Sequence, residues 1–352
     1  MADKSFPGGT ATGIGSWPGE DAHEAAAIVA GEFEVLSHLV ELPGRGLGAD
    51  LIGRTAALLV DLPIDISTTG YKLSDRPSSV GRRAQAHLTR DLDIMEEVWD
   101  KKGLLGSERT VKAQLAGPVT LAAELELRNG RRVLTDRGAV RDLTDSLAEG
   151  VRGHLADLRR RLGVDVVLQL DEPQLPAALA GAIPGPSRFD PVREIPGPEA
   201  LELIQIITDA AAVPVGVHCC GDKMPLELLR RSEIQALFLD VTTVRQRDFD
   251  HLGEWLQSGR ALALGLVPST APLELDEKTG DWVPAREPDW RELADPALRL
   301  VDHLGFPREI LAAQIMVTPA CGLAGADPQW ARRAVALATR IAAEFAGDPD
   351  AL

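Results

Sequence analysis

The sequence predicts an α/β fold, a (β/α)8 TIM barrel formed as a single domain over residues 1–352. Eight short runs rich in Val, Leu and Ile alternate with amphipathic stretches of helical period. Such runs are typical of parallel strands buried on both faces, and eight strand–helix units are the pattern of a closed barrel. The polar motifs also fall at the ends of the runs, where barrel active sites are built. A doubly wound open sheet is the alternative, and the count of eight favours the barrel.

Each predicted strand is an apolar or β-branched run that leads into a glycine or polar turn. The eight runs are Ala11–Ser16, Val35–Leu42, Thr110–Leu115, Asp165–Leu170, Val213–His218, Ala236–Asp240, Ala261–Val267 and Gln314–Val317. The predicted helices are Asp21–Phe33, Ala49–Val60, Gly81–Lys102, Asp142–Leu162 and Pro328–Phe345. Long loops at about 62–109, 183–198 and 268–288 are expected over the C-terminal face, since loops of this length commonly cover a site.

Composition excludes several classes of function. The formal net charge of −16 disfavours nucleic acid and anionic membranes as partners, because both need clustered Lys and Arg. No apolar run reaches about 18 residues, so no membrane span is expected, and the N-terminus lacks the apolar core of a signal peptide. Three cysteines cannot form a disulfide framework, which predicts a reducing, cytoplasmic location.

A metal site is predicted where two strands end. His218 and Cys220 lie two residues apart, so an extended chain places both on one side and Cys219 on the other. Cys321 follows the last predicted strand in a similar setting. One nitrogen and two sulfurs suit tetrahedral Zn²⁺. The alternative is a hydrogen-bonded core histidine with cysteines that act as small buried hydrophobes.

A fourth ligand is expected from the neighbouring strand. Asp240 ends the sixth run and is the candidate, with an ordinary turn aspartate as the alternative reading. A weakly held carboxylate there could give way to an incoming thiol. A thiol bound to zinc is deprotonated at neutral pH, which makes it a nucleophile.

The other strand ends offer a substrate pocket. Asp171 and Glu172 follow a buried strand, and either carboxylate can bind an ammonium group. The turns at 14–18 (IGSWP) and 116–120 (AGPVT) offer backbone amides and hydroxyls that can hold a carboxylate. The alternatives without a binding role are acidic side chains that face solvent and ordinary tight turns. No glycine-rich phosphate-binding loop follows a strand, so a nucleotide cofactor has no support.

Five motifs, in this order, carry a family resemblance: IGSWP, KAQLAGPVTL, LQLDEPQL, VHCCGD and TPACGLAG. Together they resemble the C-terminal catalytic barrel of cobalamin-independent methionine synthase, in a short single-barrel form. That family lies in a wider superfamily with uroporphyrinogen decarboxylase and the methylcobamide:coenzyme M methyltransferases. The resemblance runs from Thr12 to about Ala343.

The resemblance implies a zinc-dependent transfer of a methyl group to homocysteine, from methyltetrahydrofolate or another donor, to give methionine. It implies that zinc is held by His218, Cys220 and Cys321, with Asp240 in place of the family's fourth-ligand Glu. It also implies contacts to the homocysteine amino acid group from four residues: Ile14, Ser16, Asp171, which holds the ammonium, and Glu41, which lies in the turn after the second strand.

Two departures from the family pattern concern the methyl donor. The proton-donating His of the family has no counterpart in LVPST at 266–270, so no catalytic residue is predicted beyond the zinc centre. The segment that would hold methylfolate, Thr69–Pro77, matches poorly. A methylated corrinoid protein as donor, or another thiol as acceptor, therefore stays open. The remaining alternatives are a decarboxylase, which the acidic or neutral strand ends disfavour, and a barrel that binds a thiol or metal without turnover.

Overall fold

The fold is built on short, mostly apolar strands. The structure is a computed structural model that describes residues 6–185, 191–276 and 279–349. Its strands are β1 (Leu36–His38), β2 (Ile64–Ile66), β3 (Tyr71–Leu73), β4 (Thr110–Ala116), β5 (Leu125–Glu126), β6 (Asp165–Asp171), β7 (Val215–His218), β8 (Ala236–Asp240), β9 (Ala261–Val267), β10 (Leu273–Leu275), β11 (Trp282–Pro284) and β12 (Ile315–Pro319).

Helices connect the strands along the described chain. They are α1 (Ala22–Glu32), α2 (Leu51–Ala56), α3 (Ser79–Lys101), α4 (Pro118–Glu124), α5 (Arg137–Leu162), α6 (Leu175–Leu179), α7 (Gly197–Ala211), α8 (Leu226–Leu229), α9 (Phe249–Gln257), α10 (Trp290–Leu304), α11 (Ile310–Gln314) and α12 (Pro328–Gly347). Helices α1, α3, α5 and α12 begin at side chains that accept hydrogen bonds from first-turn amides, namely Asp21, Ser78, Asp136 and Asp327. Their starts therefore follow from local sequence. No helix of the described residues combines the length and apolar character needed to cross a bilayer.

Seven parallel strands form one curled sheet in the order β1-β4-β6-β7-β8-β9-β12. The segment 10–17, here called the closing segment, joins its two edges. On one side, Thr12 N donates to Val317 O at 3.1 Å, and Val317 N donates to Thr10 O at 2.9 Å. On the other side, Trp17 N donates to Glu41 O at 2.8 Å. The structure is a TIM barrel, which confirms the predicted fold class.

The closing segment is less regular than the predicted strand over Ala11–Ser16, because it forms only isolated bridges. A Cβ on Gly13 would lie 2.3 Å from His38 Nε2. Gly15 has φ of 149°, and a Cβ there would lie 2.7 Å from Gln114 Cγ. The backbone thus approaches side chains of the barrel interior too closely for any residue but glycine at these two positions.

Alternating strand residues divide the core into two parts. Residues that point outward, such as Val111, Leu168 and Val217, pack against the helices in one large cluster. Residues that point inward from five strands form a second cluster with Phe6 and Ile14, which fills the lower barrel. Above it the interior is polar. The same alternation therefore gives the barrel an apolar plug and a polar upper chamber.

The predicted long loops contain structure of their own. The segment at 62–109 includes β2, β3 and α3, and the segment at 268–288 includes the antiparallel hairpin β10–β11. Residues 186–190 of the loop predicted at 183–198, and residues 277–278 of the loop predicted at 268–288, lie outside the described residues. The single-domain division over residues 1–352 stays a prediction. The second strand, expected over Val35–Leu42, is regular only over Leu36–His38, because the chain then turns to pair with the closing segment.

Candidate metal centre and substrate pocket

The candidate site lies at the C-terminal ends of neighbouring barrel strands. The register of β6 and β7 places Asp171 beside His218. Two further hydrogen bonds extend this ladder past the strand ends: Gly117 N donates to Asp171 O, and Glu172 N donates to His218 O, each at 2.8 Å. The side chains at this rim are therefore positioned by sheet register rather than by free loops.

Three predicted metal ligands converge here. Potential ligand atoms of His218, Cys220 and Cys321 all lie within 4.8 Å of one another. The two sulfurs, which come from positions 101 residues apart, are separated by 2.9 Å, and both cysteines are free thiols. Cys219 is buried outside this cluster. Cys220 therefore belongs to the cluster and Cys219 does not, as the strand period predicts.

His218 has one nitrogen engaged and one free. Its Nδ1 lies 2.6 Å from Asp171 Oδ1, whereas Nε2 is buried and makes no hydrogen bond to any described residue. Burial alone would lower the pKa of His218, but the hydrogen bond to Asp171 and the nearby Cys321 sulfur outweigh it and raise the pKa to about 9. A buried, unpartnered ring nitrogen costs free energy unless something occupies it.

The two thiols interact unequally. A hydrogen bond from Cys321 lowers the pKa of Cys220 against the opposing effect of burial. The same contact, together with burial, raises the pKa of Cys321. The backbone N–H of Cys321 donates to Ser269 Oγ at 2.8 Å, which fixes the turn that carries it. A Cβ on the next residue, Gly322, would lie 2.1 Å from Ser16 Oγ, so a larger residue there would displace the Ser16 hydroxyl.

The chemistry of this donor set fits a metal ion. An imidazole nitrogen and two thiol sulfurs are the ligands that zinc prefers. A carboxylate on the far ring nitrogen, as Asp171 provides, is the usual partner of a metal-bound histidine because it fixes the tautomer and the ring orientation. The buried free Nε2 of His218 is the nitrogen that this arrangement leaves for the ion.

Asp240 lies on the strand next to the cluster but is not part of it. The pairing of β7 with β8 aligns His218 with Phe238, and Cys220 and Asp240 each follow two residues later. Strand alternation therefore puts Asp240 in the inward-facing layer. Its carboxylate accepts hydrogen bonds from Thr242 N at 2.8 Å and Thr242 Oγ1 at 2.7 Å. Its role as a fourth ligand stays a prediction.

The two adjacent acids of the DEP motif differ in what they contact. Asp171 Oδ1 accepts hydrogen bonds from His218 and from Gln169 Nε2, the latter at 2.8 Å. Glu172 is fully buried and accepts from Val119 N at 3.0 Å, Thr120 N at 2.7 Å and Thr120 Oγ1 at 2.6 Å. Asp171 therefore faces the site, whereas Glu172 holds the start of α4.

The remaining predicted substrate residues lie on the closing segment and the turn it pairs with. Ser16 and Glu41 form a parallel bridge, and Glu41 is buried. Burial raises the pKa of Glu41 to about 7, against the lowering effect of Arg54, and the charge of Asp171 adds to the rise. The carbonyl of Ile14 points into the polar chamber, where it accepts two side-chain hydrogen bonds. The structure thus gathers Ile14, Ser16, Glu41 and Asp171 around one chamber.

Sequence reasoning missed three side chains that shape the site: Lys112, Gln169 and Ser269. Burial of Lys112 lowers its pKa to about 7, although Asp171 and Glu41 oppose this effect. A signal for the first two exists in the strands TVKAQLA and DVVLQLD, where polar residues recur at alternate positions in otherwise apolar runs. That period places them on the inward face. Ser269 has no such signal, because its contact depends on a distant turn.

Comparisons with known proteins show the family of the chain and support its fold. Residues 9–344 match the family described as the cobalamin-independent synthase, catalytic domain. A B12-independent methionine synthase from Shewanella sp. W3-18-1, solved with selenomethionine, is similar in structure, with a TM-score of 0.60 and 12% identity over 97% of both chains. A methyltransferase from Methanosarcina mazei has a TM-score of 0.55 and 15% identity over 98% of this chain and 95% of that one. No curated protein sequence gives a match.

Proposed function

The chain belongs to the family of the cobalamin-independent synthase catalytic domain, and on that premise we propose that it is a zinc-dependent S-methyltransferase that methylates homocysteine to methionine. The observation that supports this most is the convergence of His218, Cys220 and Cys321 beside a buried carboxylate at the C-terminal face of the barrel. These residues would hold the ion, with Asp240 as the fourth ligand. Zinc held there would lower the pKa of a substrate thiol and so supply a thiolate at neutral pH.

The polar chamber suits the amino acid end of the substrate. Asp171 uses Oδ1 for its contacts with the protein, which leaves Oδ2 to accept a hydrogen bond from the substrate ammonium. Glu41 adds a second carboxyl group close to Asp171, and Ser16 offers a hydroxyl. The similar protein from Shewanella was solved with selenomethionine, the selenium analogue of the product proposed here.

In the proposed reaction the substrate sulfur forms a bond to the methyl carbon. The bond from methyl to donor breaks, and its electron pair stays with the donor. Methyltetrahydrofolate is the donor we propose first, and its leaving nitrogen would need a proton. The turn at 266–270 provides hydroxyl groups but no histidine. This feature favours a second candidate, a methylcorrinoid protein, whose leaving group needs no proton.

The test combines metal analysis with product formation. We expect about one zinc per chain, and loss of zinc and of methionine formation in Cys220→Ser and Cys321→Ser. Cys219→Ser is the matched control, because this neighbouring thiol lies outside the cluster. Methionine formation from homocysteine is measured with methyltetrahydrofolate and, separately, with a methylcorrinoid protein.

Each outcome has a distinct meaning. Methionine from either donor supports the proposal and identifies the donor. Zinc binding with no product from either donor would favour a barrel that binds thiol or metal without turnover. Full activity in protein stripped of metal would overturn the zinc-dependent mechanism.

A further inference from the structure

A buried lysine lies inside the barrel below the candidate site. Lys112 has no exposed surface, and its Nζ donates to Ile14 O at 3.1 Å and to Gln169 Oε1 at 2.6 Å. Its ammonium also lies 5.7 Å from the centre of the Phe238 ring. A buried ammonium is costly and persists only where hydrogen bonds and opposite charges compensate it.

Gln169 is the branch point of the same network. It is fully buried, and its Nε2 donates both to Ile14 O at 2.9 Å and to Asp171 Oδ1 at 2.8 Å. With Lys112 on its carbonyl oxygen, Gln169 uses both ends of its amide. The network therefore runs without a break from the closing segment at Ile14, through Lys112 and Gln169, to Asp171 and His218.

We propose that Gln169 and Lys112 are positioning residues that act on the metal ligand His218 through Asp171 and tie it to the substrate-facing turn at Ile14. This inference rests on the proposed function. Two oxygens of this network, Ile14 O and Asp171 Oδ1, accept two hydrogen bonds each. Neither group can turn to another orientation without losing these hydrogen bonds. Connected networks of buried hydrogen bonds of this kind favour one geometry.

The consequence is that Gln169 sets which way Asp171 faces. With Nε2 of Gln169 and Nδ1 of His218 both on Oδ1, the carboxylate cannot rotate without losing two buried hydrogen bonds. His218 then keeps Nε2 directed at the metal position, and Asp171 keeps Oδ2 for the substrate. Lys112 holds Gln169 in the orientation that this requires.

The experiment is a double-mutant cycle on zinc affinity, measured by competition with a chelator of known affinity. Gln169→Leu should weaken zinc binding roughly fivefold or more in the unmodified background. Asp171→Asn alone should weaken it by about 10- to 100-fold. If Gln169 acts through Asp171, then Gln169→Leu should cost less than about twofold in the Asp171→Asn background.

Gln114→Leu is the matched control. Gln114 pairs with Gln169 in the sheet register and is also buried, but its amide donates to Leu39 O and takes no part in the network. We expect its zinc affinity to stay within about twofold of the unmodified protein. Thermal unfolding of each variant shows whether it folds. Gln169→Glu serves as a second variant, because it keeps the acceptor for Lys112 but removes the donor to Asp171.

Unchanged zinc affinity in folded Gln169→Leu or Gln169→Glu would overturn the inference, as would an equal loss in both backgrounds. Lys112→Met should follow Gln169→Leu in direction, and zinc affinity equal to that of the unmodified protein would remove Lys112 from the proposal. Failure of the proposed function looks different, because it appears as absent zinc binding or absent methyl transfer in the unmodified protein.

Discussion

The two halves of the candidate site are built on opposite principles. The carboxylate half, formed by Glu41, Lys112, Gln169 and Asp171, is buried, and Lys112, Gln169 and Asp171 are joined by hydrogen bonds of 2.6–2.8 Å. The sulfur half, formed by His218, Cys220 and Cys321, has partly exposed thiols and a buried nitrogen without a partner. The carboxylate half is held together by hydrogen bonds within the protein, whereas the sulfur half keeps a buried nitrogen without a partner.

The difference shows where stability and ligand affinity reside. A buried polar network fixes the geometry of its side chains. Removing one member lowers the free energy of unfolding, because its partners stay buried without a hydrogen bond. The two thiols contact each other at 2.9 Å and contribute little to the fold, but they keep their capacity to bind an ion. Mutations in the carboxylate half should therefore lower stability as well as zinc affinity, whereas mutations of the thiols should lower zinc affinity with little effect on stability.

The largest effect on stability is expected at Glu172, the buried carboxylate next to Asp171. Glu172→Ala would leave the donors on Val119 and Thr120 buried without an acceptor. At about 1–3 kcal/mol for each unsatisfied group, the free energy of unfolding should fall by roughly 3 kcal/mol or more in urea titrations. Glu172→Gln keeps one acceptor oxygen and should lose less. A loss below about 1 kcal/mol in Glu172→Ala would contradict the capping role.

A pH-dependent effect is expected from His38, at the base of the carboxylate half. Burial, and then the charge of Lys112, lower its pKa to about 3 from an ordinary value of 6.5. Between these values the unfolded chain binds the proton and the folded chain does not, so stability is complete above pH 6.5 and is lost as the pH falls.

His38→Gln should remove up to about 1.4 kcal/mol per pH unit from the slope of unfolding free energy between pH 4 and 6. The measurement compares urea unfolding of the variant and the unmodified protein at each pH. The comparison is needed because Glu41 and Glu172, with pKa values raised by burial, contribute a slope of opposite sign. Parallel pH profiles would show that folding does not lower the pKa of His38.

The smallest effect is expected at the thiols. In metal-free protein, Cys321→Ser should change the free energy of unfolding by no more than about 0.5 kcal/mol, since Cys321 is only partly buried. Zinc at a hundredfold excess over its Kd should then stabilise the unmodified protein by about 2.7 kcal/mol and leave Cys321→Ser unaffected. A large loss of stability in metal-free Cys321→Ser would show that the thiols also contribute to the fold, which would contradict the proposed difference between the two halves.

Much of the barrel could be predicted from sequence. The strand expected over Thr110–Leu115 is observed over Thr110–Ala116, and the helix expected over Gly81–Lys102 is observed over Ser79–Lys101. Apolar runs and capping residues are local signals, so they can be recognised in the sequence without knowledge of the fold. The closing segment was harder, because its shape depends on how near it passes to His38 and Gln114.

The meeting of three candidate ligands was predictable, because strand register alone decides it. The spacing of His218 and Cys220 determines which cysteine faces Cys321, and the structure places them together. The division of labour between Asp171 and Glu172 could not be read from the sequence, because it depends on which backbone amides lie across the strand end. The contacts of Lys112 and Gln169 likewise exist only once the barrel has closed.

The seam of the barrel has a consequence for a chain that is still being made. The closing segment at 10–17 pairs with β12 on one side, so this pairing can form only after the six intervening strands of the sheet have been synthesised. Until residue 319 has left the ribosome, the sheet has an open edge and the Lys112 chamber is accessible to water. The barrel interior is therefore closed only once β12 is in place, and a chain truncated before β12 would have an unpaired strand edge and a chamber around Lys112 that is open to water.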